Sequence, residues 1–211
     1  MDRGHQQSLE VGVDIPSIDE IRAILAAAEG RWRPLVVTAI LTGLRASELR
    51  GLRWADVNLD DAKLTVTQRA DRWNQIGSPK SDSGNRTVPL ARMVVNTLRE
   101  WKLACPKGLG LVFPNGSGNA ENLPNIHRRV LGPLQVAAGV STDPHAPKYG
   151  LKAFRHAAAS LFIAEGFNAK EVQVVMGHAN ISVTLDTYTH LFPTEVDHQT
   201  KLRRIQARLV S

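Results

Sequence analysis

The sequence predicts a mainly α protein with one small antiparallel β-sheet, an α+β fold. Two observations carry that expectation. Segments near both ends of the chain have helical apolar spacing bracketed by helix start and stop signals, and two short alternating runs, 63–69 and 86–90, flank a turn-rich connection. At 211 residues the chain is long enough to bury a core, and its 43% hydrophobic and 22% charged content is that of an ordinary globular protein.

Residues 1–16 are polar, have no helical or strand period, and read as a tail or linker remnant. Ser17-Ile18-Asp19-Glu20 is a capping box that opens a first helix, with Ile21, Ile24, Leu25 and Ala28 as its apolar face. Pro34 suits the first turn of a second helix running to Leu41. That helix is apolar nearly all round, so it should be buried. Thr42-Gly43 ends it, and 46–50 makes a short helical turn. In 63–69, Leu64 and Val66 share one side; 86–90 is the partner strand and 77–85 the connection. An amphipathic helix follows over 93–103. Leu111-Val112-Phe113 reads as a short strand stopped by Pro114 and the loop 115–119. Further helices are expected near 124–138, 152–165, 169–176 and 181–189. A last one over 195–209 carries Val196, Leu202, Ile205 and Leu209. The chain thus divides into the tail 1–16, a folded domain 17–194 and a C-terminal helix within 195–211, with no internal repeat.

Twenty-six Lys and Arg against twenty Asp and Glu give a net charge of +6 and a pI near 9.8, which suits a polyanionic partner. Aromatic residues make up only 5%, too few for a sugar-binding cleft or a base-stacking sheet. The single cysteine, Cys105, excludes an intrachain disulfide and reads as a helix-end packing residue. No Cys/His cluster has zinc-ligand spacing, so no zinc site is expected. No apolar run is long enough for a membrane span and no signal-peptide core is visible, so a cytoplasmic location fits.

Four motifs bear chemistry. They are Thr42-Gly43-Leu44-Arg45-Ala46-Ser47-Glu48-Leu49, Lys80 between the two strands, Lys152-Ala153-Phe154-Arg155-His156, and Gly177-His178 followed by Tyr188. A phenol is a poor nucleophile near neutral pH because its pKa is roughly 10. Cations around it can stabilise the charge that builds on phosphorus-bound oxygens. Each residue also has a plainer reading: Arg45 as a surface partner of Glu48 at i+3, Lys80 as a solvated turn lysine, His178 as a loop histidine.

The ordered set resembles the tyrosine recombinase (phage integrase) family over about residues 15–195. The resemblance implies the catalytic-domain fold of that family and a DNA strand transfer, with neither metal nor cofactor, through a 3′-phosphotyrosine at Tyr188. Arg45 and Arg155 would clamp the scissile phosphate, Lys80 would protonate the leaving 5′ oxygen, and His178 would donate a hydrogen bond to the phosphate. Glu48 would orient Arg45, and His156 would support the fold or a neighbouring catalytic group without being catalytic itself. Position 152 departs from the family, which commonly has His three residues before this Arg; here Lys152 is either a third cation, a base only if its pKa is depressed, or a solvent-facing residue at a slower site. Tyr149 has no flanking match, and His190 falls outside the core site. The implied partner is double-stranded DNA, with a homo-oligomer on DNA (a tetramer is one candidate) and a monomer without it. The last helix would pack on a neighbouring protomer or fold back on its own domain. The family's usual N-terminal DNA-binding domain is not seen before Ser17, as in an excised domain or a truncated product, and DNA affinity should then be weak and salt-dependent. The alternatives are a type IB topoisomerase-like activity and a catalytically impaired DNA-binding relic.

Overall fold

A computed structural model describes residues 9–79, 81–106, 110–193 and 198–209. Its centre is the helix that the sequence makes apolar on every side, α2 (Arg33–Thr42). Pro34 sits in its first turn, and the residues from Pro34 to Ile40 are all buried. Ahead of it, α1 (Ile18–Ala27) opens with the expected capping box: Ser17 N donates to Glu20 Oε2 at 2.8 Å and Glu20 N to Ser17 Oγ at 3.2 Å. Two further helices, α4 (Arg92–Ala104) and α7 (Leu151–Ala164), flank α2 and bury their apolar stripes on it. Cys105 follows α4 as its C-cap and is half-buried against the core.

Gly43 ends α2 in the left-handed conformation, φ +63°, and a Cβ there would lie 2.6 Å from Met176 Sδ. The chain therefore turns directly into α3 (Ala46–Gly51). A three-stranded antiparallel sheet covers this end in the order β1 (Val57–Asn58), β2 (Lys63–Val66), β5 (Arg86–Pro89), with Leu64 opposite Val88 and Val66 opposite Arg86. Between β2 and β5 lies a second hairpin, β3 (Arg69–Ala70) with β4 (Ile76–Gly77), which lies outside the expected elements. Its strands are two residues each, too short to show an alternating period.

Leu111, Val112 and Phe113 are buried but form no strand. Only an isolated bridge joins Leu111 to Arg53, and the Val112 carbonyl accepts from Trp101 Nε1 at 2.6 Å instead of from a ladder. The helix expected over 124–138 is one path in three pieces: α5 (Leu123–Ile126), a π turn His127–Leu131, and α6 (Gly132–Ala137). Pro133 cannot donate a backbone hydrogen bond, which accounts for the wider turn before it. After α7 come α8 (Ala169–Met176), α9 (Ile181–Tyr188) and α10 (His198–Leu209). Leu202, Ile205 and Leu209 on α10 are exposed; Val196 lies outside the described residues.

Residues 9–16, expected as part of a polar tail or linker remnant, pack on the domain. Ile15 is fully buried in the core, it bridges Val11, and Leu9 packs on the same core with its carbonyl bonded to His190 Nε2 at 2.8 Å. One isoleucine is too little pattern to betray a docked segment. Among the described residues no helix is long and apolar enough to cross a membrane.

Gly43→Ala should destabilise the protein by more than about 1 kcal/mol, since it adds both a left-handed strain and a clash. Urea midpoints of the two proteins test this, and an unchanged midpoint would contradict the tight turn.

Candidate active site

Glu48 is the buried anchor of the site. It is the third residue of α3 and folds back so that Arg45 N donates to its Oε2 at 2.9 Å, while Arg45 Nη1 meets Oε1 at 2.6 Å. From the opposite side Arg86 on β5 reaches the same carboxylate, Nη2 to Oε2 at 2.9 Å and Nη1 to Oε1 at 3.2 Å. Burial alone would raise the carboxyl pKa; the hydrogen bonds and charge of Arg86, then Arg45, bring it down to about 2. Glu48 is thus an anion with two guanidinium partners. The side chains of Glu48 and Arg86 are 3% and 4% exposed, that of Arg45 35%. Only Arg45 turns a charged face outward.

Arg86 also donates through Nε to the Val175 carbonyl at 2.7 Å, which ties the sheet to α8. It is held behind Arg45, not beside it at the surface. Its signal in the sequence was the strand period: Arg86 shares the inward side with Val88, and an arginine there needs a buried carboxylate.

Arg155, on the second turn of α7, is 8% exposed and is held by two carbonyls at helix ends. Nη1 donates to Gly43 O after α2, and Nη2 to Met176 O at the end of α8 at 2.7 Å. Arg45 Nη2 in turn donates to Gly177 O at 2.7 Å. Helix C-termini carry partial negative charge, so these carbonyls suit guanidinium groups. Gly177 is left-handed, φ +66°, and a Cβ there would lie 2.7 Å from Arg86 Nη1. Burial, then the charge of Arg45, lowers the Arg155 pKa to about 9.

His178 follows Gly177 directly. Its Nδ1 lies 2.8 Å from Thr184 Oγ1, and its ring stacks at 6.3 Å on that of Tyr188. Burial, then Arg155, Arg45 and Arg86, lowers its pKa to about 4. Tyr188 closes α9 and is 1% exposed, packed among Ala159, Ile163, Val172 and Met176. Burial raises its pKa to about 12 against the opposing pull of Arg155. Its hydroxyl lies 2.8 Å from Nδ1 of His156.

Arg45, Glu48, Arg155, His156, His178 and Tyr188 therefore come together from α3, α7, the turn after α8, and α9. Lys152 stands at the rim. It is exposed in the first turn of α7, and its charge acts on His156 one turn later, whereas the charges acting on Arg155 are those of Arg45, Glu48, Arg86 and Tyr188. Lys80 lies outside the described residues. Tyr149 is elsewhere, donating its hydroxyl to Glu20 at 2.9 Å. Sequence reasoning left out two contacts, that of Arg86 with Glu48 and that of His156 with the Tyr188 hydroxyl.

A buried phenol, a neutral histidine and two anchored guanidinium groups suit the binding of a phosphodiester and attack on it. Among the described residues no group of three or more His, Cys, Asp or Glu side chains could hold a metal ion. A cleft of about 770 Å³ lies between the sheet and α4, lined by both signs of charge (Asp56, Asp60, Lys63, Arg99), and includes none of the cluster.

The chain matches the model of the phage integrase family over residues 17–195, and it belongs to that family. It is 29% identical to a tyrosine recombinase XerC-like protein of Caldanaerobacter subterraneus subsp. tengcongensis, over 90% of this chain and 54% of the relative. It is 31% identical to the tyrosine recombinase XerC of Xylella fastidiosa (strain 9a5c), over 76% of this chain and 49% of the relative. The chain spans about half the length of these curated relatives. Among solved structures, the Tn1549 transposon integrase in complex with circular intermediate DNA aligns with a TM-score of 0.73 at 22% identity, covering 93% of this chain and 68% of that one. The catalytic domain of bacteriophage HP1 integrase aligns with a TM-score of 0.60 at 22% identity, covering 89% and 93%. The fold is that of tyrosine recombinase catalytic domains, as the sequence predicts.

Arg86→Ala should cost about 3–5 kcal/mol, the scale for leaving one member of a buried ion pair uncompensated. Denaturant unfolding measures this; a loss under about 1 kcal/mol would deny Glu48 its role as anchor. Acid should also destabilise the protein in two windows. His156 and His178, lowered from 6.5 to about 4, bind fewer protons folded than unfolded, so their contribution is complete above pH 6.5 and is lost as pH falls to 4. Glu48, lowered from 4.5 to about 2, loses its contribution from pH 4.5 downward. Urea midpoints that stay level from about pH 7 to 5 would contradict neutral, buried histidines.

Proposed function

We propose that this chain is the catalytic domain of a site-specific DNA recombinase that cuts and rejoins strands through Tyr188. The observation that carries the proposal is the convergence of Arg45, Arg155 and His178 on the Tyr188 pocket, with both arginines fixed by backbone carbonyls before any ligand arrives. Preset cations cost no reorganisation as charge develops on the phosphate.

In the reaction the Tyr188 oxygen attacks a backbone phosphorus, forming a 3′-phosphotyrosyl bond and releasing a 5′ hydroxyl. That hydroxyl, or one from a second duplex, reverses the step. The energy of the broken ester is retained in the new one, so no nucleotide hydrolysis is needed. Arg45 meets the phosphate first, since it is the more exposed of the pair. Arg155 stabilises the charge from behind, and neutral His178 donates a ring N–H. Lys80 protonates the leaving oxygen. Tyr188 is covered in this conformation, so the side chains packed over it open to admit the DNA backbone.

The partner is double-stranded DNA, and the domain spans 17–194. On DNA the protein assembles as a homo-oligomer, up to a tetramer, from free monomers. The apolar residues Leu202, Ile205 and Leu209, exposed on α10, suit docking on a neighbouring protomer. Base preference comes from contacts outside this cluster, because phosphate clamping reads no sequence.

On a nicked duplex that traps covalent product, Tyr188→Phe should abolish the adduct and leave non-covalent binding near wild type. A persistent adduct in that variant would remove Tyr188 as nucleophile. Arg45→Ala and Arg155→Ala should each slow adduct formation by at least about a hundredfold, the scale for removing one stabiliser of transition-state charge. Lys152→Ala should slow it less than either, and Lys152→His should keep or raise it, since imidazole can accept a proton at neutral pH. Wild-type behaviour of Lys152→Ala at every pH would make Lys152 a bystander.

A further inference from the structure

Among the described residues, the only polar partner of the Tyr188 hydroxyl is His156 Nδ1, at 2.8 Å. The two rings meet edge to face, 5.7 Å apart at 62°, which brings the ring nitrogen toward the oxygen. The other nitrogen, Nε2, is buried with no hydrogen-bond partner among the described residues. A histidine kept for structure alone is expected to satisfy both nitrogens, because an orphaned buried N–H is costly. Of the two groups the phenol is the stronger acid, so its O–H donates and Nδ1 accepts, leaving the ring proton on Nε2.

We propose that His156 is a catalytic residue of this site, the acceptor that takes the Tyr188 proton as the oxygen–phosphorus bond forms. This rests on the strand-cleaving function proposed above. The balance is simple: the Tyr188 oxygen bonds phosphorus, its proton moves to His156 Nδ1, the bond from phosphorus to the 5′ oxygen breaks, and that oxygen takes its proton from Lys80. In the rejoining step the imidazolium returns the proton to the departing phenol. The assignment also explains how the site manages with Lys152, which is exposed and four residues before His156 on α7.

The groups facing His156 set its working range. Lys152 and Arg155 on its own helix oppose the charged ring, Asp14 of the docked N-terminal segment favours it, and Tyr188 of α9 and His178 border it. Burial, then the two cations, holds the ring neutral and able to accept. A bound phosphodiester offsets those cations and makes the ring more basic when the proton moves.

The test uses the chain on a pool of nicked duplexes of randomised sequence, with covalent adduct resolved on a denaturing gel. His156→Asn keeps an acceptor near the Nδ1 position but cannot carry the proton; His156→Gln replaces it if the first fails to fold. Adduct formation should fall about 10²–10⁴-fold with non-covalent binding unchanged. The residual rate should rise about tenfold per pH unit near neutrality, where the wild type is flatter, because the phenol then loses its proton to solvent hydroxide. A duplex with sulfur in place of the leaving 5′ oxygen needs no proton donor, so it should rescue Lys80→Ala but not His156→Asn. A substituted protein within about threefold of wild type with the same pH profile, or rescue by the sulfur substrate, would overturn the assignment while strand cleavage by Tyr188 stands. No adduct from the wild type would instead sink strand cleavage itself, and this assignment with it.

Discussion

The structure depends on one carboxylate. Glu48 is nearly inaccessible, and it has two guanidinium groups on it from two different elements. A lone buried anion would be expelled or neutralised. Arg86 prevents that from behind and links β5 to α8 through the Val175 carbonyl, while Arg45 prevents it from in front. The same contact that keeps Glu48 charged also fixes Arg45, whose backbone and side chain both bind the carboxylate. A stabilising interaction and the orientation of a functional side chain are here one hydrogen-bonded unit.

The other half of the scaffold is made of helix ends. α2 and α8 both stop at left-handed glycines, Gly43 and Gly177, and the carbonyls freed at those stops receive Arg155 and Arg45. Neither glycine has room for a side chain: one faces Met176, the other Arg86. Each stop thus ends a helix, admits a close neighbour and anchors a cation. Packing of α2 against α7 then sets Arg155 at the height of the turn from α2 to α3, where Arg45 begins its helix.

Much of this was legible in the sequence because it rests on local rules. The capping box at Ser17, the buried character of α2 and the pairing of the 63–69 and 86–90 runs follow from period and end signals. The elements that escaped depend on distant partners. The N-terminal segment docks through Ile15 and Leu9 alone, Leu111 to Phe113 form no strand while Trp101 takes the Val112 carbonyl, and the β3–β4 hairpin is too short to alternate. Motif order placed Arg45, Glu48, Arg155, His178 and Tyr188, and the structure brings them together. It could not show that Arg86 sits behind Glu48, nor that His156 faces the Tyr188 hydroxyl, because both contacts cross between elements far apart in the chain.

Burial also explains how a phenol and two imidazole rings rest uncharged beside the guanidinium groups. Removal from water raises the phenol pKa to about 12 and, with the neighbouring cations, lowers those of His156 and His178 to about 4, so all three groups are neutral. Neutral groups are the ones that can be buried at low cost. The positive charge is left to the arginines, which keep it at neutral pH and are held by carbonyls and by Glu48. On the function proposed above, a bound phosphate changes both sides of this balance: it draws the cations to itself and relieves the imidazole rings of their repulsion. On that function the imidazole rings become more basic only when the anionic ligand is present, so their readiness to accept a proton is coupled to occupancy through electrostatics.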